Sequence, residues 1–111
     1  MPRYASIDEV IASYPDRFDA DKAEGVDATV YMDLSGANAK QVLLRVDGPT
    51  LTVEEGAAAP DDPTLTLVAN ADDWLAIENG HTNPMMALMS GKLKLKGSVP
   101  FATKFMTLFG G

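Results

Sequence analysis

Period-two alternation, returning five times, limits most strictly what this chain can fold into. Ala28, Val30, Met32 and Leu34 alternate with Thr29, Tyr31 and Asp33. The pattern recurs in Val42, Leu44 and Val46 opposite Gln41, Leu43 and Arg45, then in Leu51 and Val53, in Leu65 and Leu67, and in Leu93 and Leu95 between three lysines. Successive side chains of a strand point to opposite faces, so each stretch presents one apolar and one wetter side. Ser35-Gly36-Ala37-Asn38 and Asp47-Gly48-Pro49 are turn sequences that join the first three strands as an antiparallel meander. Gly56 to Pro63, with three alanines and two prolines, is expected as a loop at the sheet edge.

Helices must cover the apolar side. Ser6 and Glu9 form a capping box, and Ile7, Val10, Ile11 and Tyr14 fall on one helical stripe. Pro15 is expected to end that helix and open a short second segment to Phe18. Asn70 caps a helix with Asp72 and Asp73 in its first turn and Trp74, Leu75 and Ile77 on its apolar side. Asn83-Pro84 opens another, carrying Met85, Met86, Leu88 and Met89 up to a stop at Gly91. Ser98 and Pro100 begin the last, with Phe101, Phe105 and Leu108 at helical spacing and Met106 and Phe109 beside them. The order predicts an α+β fold in one domain over residues 1–111: a five-stranded, mainly antiparallel sheet with helices packed on one face.

Composition narrows the function. Nine basic against sixteen acidic residues give a formal charge of -7, which argues against nucleic acid as a partner. There is no cysteine, so disulfides, thiolate catalysis and cysteine-ligated zinc are excluded. MPRYASIDEV has no apolar signal core, no run approaches a membrane span, and the ending Phe109-Gly110-Gly111 is not a Ser-Lys-Leu tail; the expectation is a soluble cytoplasmic protein.

Three stretches in succession carry a resemblance: Leu65-Thr66-Leu67, then Ala71-Asp72-Asp73-Trp74-Leu75, then Pro84-Met85 followed by Met89-Ser90-Gly91-Lys92-Leu93-Lys94-Leu95-Lys96-Gly97. With Tyr31-Met32-Asp33-Leu34-Ser35-Gly36 upstream, the chain resembles the sterol carrier protein type 2 family of non-specific lipid-transfer domains along nearly its whole length. The resemblance implies helices and sheet enclosing an apolar tunnel for fatty acyl chains, acyl-CoA, sterols or other lipids. It implies binding and carriage without catalysis.

The residues themselves leave a choice open. Asn83 onward holds four of the six methionines and three of the four phenylalanines, which make either a packed core or a cavity lining. Thioethers are flexible and polarisable, suited to varied apolar ligands, and with the resemblance the cavity is favoured. The expected lipid-binding set is Trp74, Ile77, Met85, Met86, Met89, Leu95, Phe101, Phe105, Met106 and Phe109. A dry, empty pocket of about 300 Å³ would cost roughly 7 kcal/mol. In a domain with only about 5 to 15 kcal/mol of stability, such a pocket is expected to be occupied, wetted, or partly filled by the last helix, with Gly97 and Pro100 as its hinge.

Lys92, Lys94 and Lys96 form a solvated strand face or a landing strip for transient contact with an anionic membrane or acyl-CoA phosphate. The helix start at Asn83 and Pro84 is a place that favours a lipid carboxylate. His81 reads as a loop residue, and the acid pairs Glu54-Glu55, Asp61-Asp62 and Asp72-Asp73 as structural. No nucleophile and base stand at a recognisable spacing, so the expectation is a non-enzyme with neither cofactor nor metal. The alternative is an accessory protein that presents a hydrophobic intermediate to a partner enzyme. Either a monomer or a homodimer docked through the last helix fits.

Overall fold

The computed structural model describes residues 4–109. In chain order the elements are α1 (Ile7–Arg17), β1 (Asp27–Ser35), β2 (Lys40–Asp47), β3 (Thr50–Glu55), β4 (Leu65–Asn70), α2 (Ala71–Glu78), α3 (Pro84–Ser90), β5 (Leu93–Gly97) and α4 (Val99–Leu108). The sheet order is β3-β2-β1-β4-β5. Three of the neighbouring pairs are antiparallel and one, β1 with β4, is parallel, so the sheet is mixed and mostly antiparallel. The meander expected from the two turns is β1-β2-β3, with Val30 opposite Leu44 and Leu44 opposite Val53.

Local rules explain the helix starts. The Ser6 hydroxyl accepts the Glu9 N–H at 3.3 Å, Asn70 Oδ1 the Asp72 N–H at 2.8 Å, Asn83 Oδ1 the Met85 N–H at 2.8 Å and the Ser98 hydroxyl the Phe101 N–H at 3.2 Å. Each satisfies an amide that has no partner inside its helix. Gly91 closes α3 with φ of 83°, the left-handed turn that glycine adopts without strain.

One expectation fails. Pro15 does not start a new segment: α1 runs unbroken to Arg17 with the proline inside it, and Phe18 is its C-cap. Proline's fixed φ is itself helical, the ring is exposed, and the last turn is held by the Phe18 N–H bond to the Tyr14 carbonyl at 3.0 Å. Phe18 does turn inward, partly buried against the core. The loop after β3 is more than an edge connection. Its Ala57 carbonyl accepts the Tyr31 hydroxyl at 3.3 Å, and Tyr31 and its cross-strand partner Leu43 are buried on the sheet face turned away from the helices.

The other face builds the core. Val30, Met32, Leu34, Val42 and Leu44 are fully buried against Val10, Ile11 and Tyr14 of α1, Trp74 of α2 and Leu108 of α4. Gly97 fixes the approach to α4. A Cβ there would stand 2.6 Å from the Thr64 carbonyl oxygen, which accepts the Ser98 N–H at 2.8 Å. The entry of the last helix is therefore clamped to β4 rather than loosely hinged at Gly97.

Candidate functional site

Between the sheet and the helices an apolar chamber of about 190 Å³ remains. Leu65 and Leu67 of β4 and Leu93 and Leu95 of β5 form its floor, because the period-two pattern turns these four toward the helices. Trp74 and Ile77 of α2 line one wall and Pro84, Met85 and Leu88 of α3 another, while α4 contributes Ala102, Thr103, Phe105 and Met106. No lining side chain is ionisable, and Thr103 is the single hydroxyl. This arrangement can hold an apolar group; it has no groups for acid–base or nucleophilic chemistry.

A second hollow of about 410 Å³ adjoins it, sharing Ile77, Pro84, Phe105 and Met106. Its remaining lining is polar: Arg17, Glu78, Asn79, Thr82 and Asn83, with Phe109 beside them. The apolar chamber is thus flanked by a polar hollow, here called the mouth, a layout that suits an amphiphile.

The mouth belongs to a network that joins α1, α2 and the end of α4. Trp74 Nε1 donates to the Tyr14 hydroxyl at 2.9 Å in a fully buried contact. Glu78 lies close enough to act on Tyr14 electrostatically, and it takes both arms of Arg17, from Nη1 at 3.0 Å and Nη2 at 3.4 Å. Burial pushes the Tyr14 phenol well above its usual range, and the Glu78 charge pushes the same way. For Arg17, burial pulls downward, but hydrogen bonds to Glu78 and its charge more than offset this and leave the guanidinium raised. Arg17 Nε also donates to the Phe109 carbonyl at 3.1 Å, and the Asp19 N–H donates to the Leu108 carbonyl at 2.7 Å. These bonds occupy carbonyls left over at the end of α4.

Six of the ten expected lining residues meet in the chamber: Trp74, Ile77, Met85, Leu95, Phe105 and Met106. Phe109 borders the mouth and otherwise packs in an aromatic cluster, 5.2 Å from Tyr14, 5.6 Å from Phe18 and 5.0 Å from Phe105 between ring centres. Met86, Met89 and Phe101 lie outside the lining. On α3 the stripe facing the chamber is Met85 and Leu88; Met86 and Met89 sit one position round the helix and are 66% and 83% exposed. Phe101 is partly buried against the core.

Lys94 and Lys96 pair across the sheet with Val68 and Thr66, on the face away from the chamber. Asn83 borders the mouth, but its side chain and the ring of Pro84 already occupy the first positions of α3. His81 is exposed in the loop after α2. Arg17 and Glu78 drew no notice in the sequence, and Tyr14 did so only as part of the apolar stripe of α1. Nothing local marks them, since Arg17 and Glu78 stand 61 positions apart and only the packing of α1 on α2 joins them.

Fold and site together define a small α+β domain with an apolar chamber between its sheet and helices. The model of the SCP-2 sterol transfer family matches residues 7–110, and the chain belongs to that family. Hydroxysteroid dehydrogenase-like protein 2 of Pongo abelii is 28% identical over 107 residues, 96% of this chain, which spans a quarter (25%) of that relative's length. Non-specific lipid-transfer protein-like 1 of Caenorhabditis elegans is 28% identical over 90 residues, 81% of this chain and 76% of its own. Among solved structures, palmitated SCP2L2 of Aedes aegypti superposes with a TM-score of 0.71 at 24% identity, covering 95% of this chain and 92% of the other, a likeness of fold.

Proposed function

We propose that the protein is a lipid carrier that holds the apolar part of one amphiphile between the sheet and α2, α3 and α4. The observation that carries this reading is an apolar chamber with a polar hollow beside it. The chamber is half open and almost wholly apolar, so an occupant that displaces water from its lining is favoured by the burial of that surface. The palmitate carried by the structurally similar Aedes protein supports the same use of the fold.

Every large hydrophobic side chain that is exposed among the described residues lies on α3 or α4: Met85, Met86, Leu88, Met89, Val99 and Met106. This patch sits over the chamber and provides the contact through which a lipid leaves a bilayer or a partner. Lys92, Lys94 and Lys96, all exposed, lie in the segment between the two helices and favour an anionic surface.

Lipid extracted from purified protein and identified by mass spectrometry tests the reading, together with the melting temperature after delipidation. A carrier releases a bound lipid and melts higher when fatty acids, alcohols or sterols are added back. No extracted lipid and no rise with any of them would sink it. One observation favours a second reading, an accessory domain that presents a hydrophobic intermediate to an enzyme: the stretch matched in the dehydrogenase-like relative is a quarter (25%) of a longer protein. Retention of a bound lipid that is released only to a partner enzyme, never to vesicles, would favour that reading.

A further inference from the structure

Among the described residues the mouth contains one cation and one anion, and they are locked to each other. Arg17 and Glu78 pair at two points, 3.0 and 3.4 Å, with side chains only 19% and 12% exposed. Nε of Arg17 is held by the Phe109 carbonyl and Nη1 also by the Ser13 hydroxyl at 3.2 Å, so four of the five guanidinium N–H bonds are engaged within the fold. The rings of Tyr4 and Tyr14 stand 5.7 and 5.3 Å from the guanidinium carbon. The other described side chains that line the mouth and the chamber are uncharged.

A carboxylate or phosphate arriving here would have to draw Arg17 away from Glu78 or lie beside the Glu78 charge. Both are unfavourable in a half-buried site, where like charges repel strongly and breaking a pair strands its partner. At the start of α3 Pro84 lacks an N–H and Asn83 already takes that of Met85, so two of its first-turn positions have no donor to offer. An ammonium head meets the mirror-image obstacle in Arg17. A hydroxyl or amide head meets neither, and the Thr82 hydroxyl and Asn83 amide border the same hollow.

The geometry points to an uncharged, hydrogen-bonding headgroup, that of a long-chain alcohol or an amide, with the Arg17–Glu78 pair as the element that discriminates against ionic lipids. This rests on the carrier reading and narrows it. Anionic lipids remain surface partners for the exposed lysines, outside the chamber.

Dodecanol, laurate and dodecylammonium share a chain and differ in head charge. Each is titrated into delipidated protein at neutral pH and followed by the fluorescence of Trp74, the sole tryptophan, which lines the chamber. Affinities are referred to each compound's partition into phosphatidylcholine vesicles, which removes the difference in bulk hydrophobicity. Dodecanol is expected to bind at least about tenfold more tightly than either ion on that scale. Glu78→Gln removes the counter-charge of Arg17, and laurate should then gain about tenfold or more relative to dodecanol. The ranking in the unaltered protein stands on its own if that variant does not fold. Laurate binding as tightly as dodecanol in the unaltered protein overturns the inference and leaves the carrier reading intact. Failure of all three to bind, in either assay of occupancy or melting, overturns the carrier reading itself.

Discussion

Tyr14 has no exposed surface, and its hydroxyl is the buried partner of the Trp74 indole N–H, 60 positions away. Tyr14→Phe keeps the ring packed against Phe105 and Phe109 but leaves that N–H without an acceptor. The expected loss is about 1–3 kcal/mol, read as a lower urea midpoint with an unchanged slope at pH 7. The raised Tyr14 pKa adds a pH dependence. Burial first, and the Glu78 charge second, disfavour the phenolate in the folded state. The neutral phenol's contribution is complete below the unfolded value of about 10 and is lost as pH rises from there through the folded pKa. Alkaline destabilisation above about pH 10 should therefore be smaller in the Phe variant. A midpoint and alkaline limb identical to those of the unaltered protein would deny Tyr14 this role. Residues of this kind were illegible in the sequence, whereas Asn70, Asn83 and Ser98 were legible, because a cap bonds two or three positions away and a buried Tyr–Trp pair exists only once α1 lies on α2.

At the scale of elements, alternation was enough to place all five strands, and caps and glycine stops were enough to place four helices. Which face of a short helix meets the chamber was not readable. Three methionines in seven residues of α3 give no clear apolar stripe, so Met85 could not be separated from Met86 and Met89 without the floor of β5 beneath them. The sequence also suggested α4 as the moving part. The packing favours α3 instead. α4 buries Phe105 and Leu108, and its two ends are tied, through Ser98 to Thr64 and through Leu108 and Phe109 to Asp19 and Arg17. α3 buries Ala87 alone, yet Met85 and Leu88 close one wall of the chamber. Elements with few buried contacts open at low free-energy cost, and a ligand beneath them suppresses that opening. Hydrogen exchange with and without bound lipid should show the largest gain in protection at the amides of α3, with a smaller change in α4. Equal protection of α3 in both states would mean that the lipid enters by another route.

Charge is divided sharply along the molecule. All sixteen acidic residues lie at or before Glu78, together with five basic ones; after it come four lysines and no acid. The net charge of -7 therefore hides a cationic segment, and that segment carries every exposed large hydrophobic side chain among the described residues. On the carrier reading, an anionic bilayer is expected to attract this part and repel the acidic remainder, and so to turn α3 and α4 toward it. Lys94 and Lys96 lie on the sheet face away from the chamber, at an edge strand, so their part is to bring that edge down rather than to hold a headgroup inside. Each lysine near such a surface contributes about 1 kcal/mol at most, roughly a fivefold change in partition. Reversing Lys92, Lys94 and Lys96 to Glu should then reduce binding to phosphatidylserine vesicles by about a hundredfold at low salt, with little effect on phosphatidylcholine vesicles. The difference should shrink as salt shortens the screening length to about 8 Å at 0.15 M. Lipid uptake from detergent, which needs no membrane, should be unaltered in the same variant. Loss of uptake from detergent as well would show that the lysines act on the chamber or the fold, and unchanged vesicle binding would leave the methionine patch to dock without them.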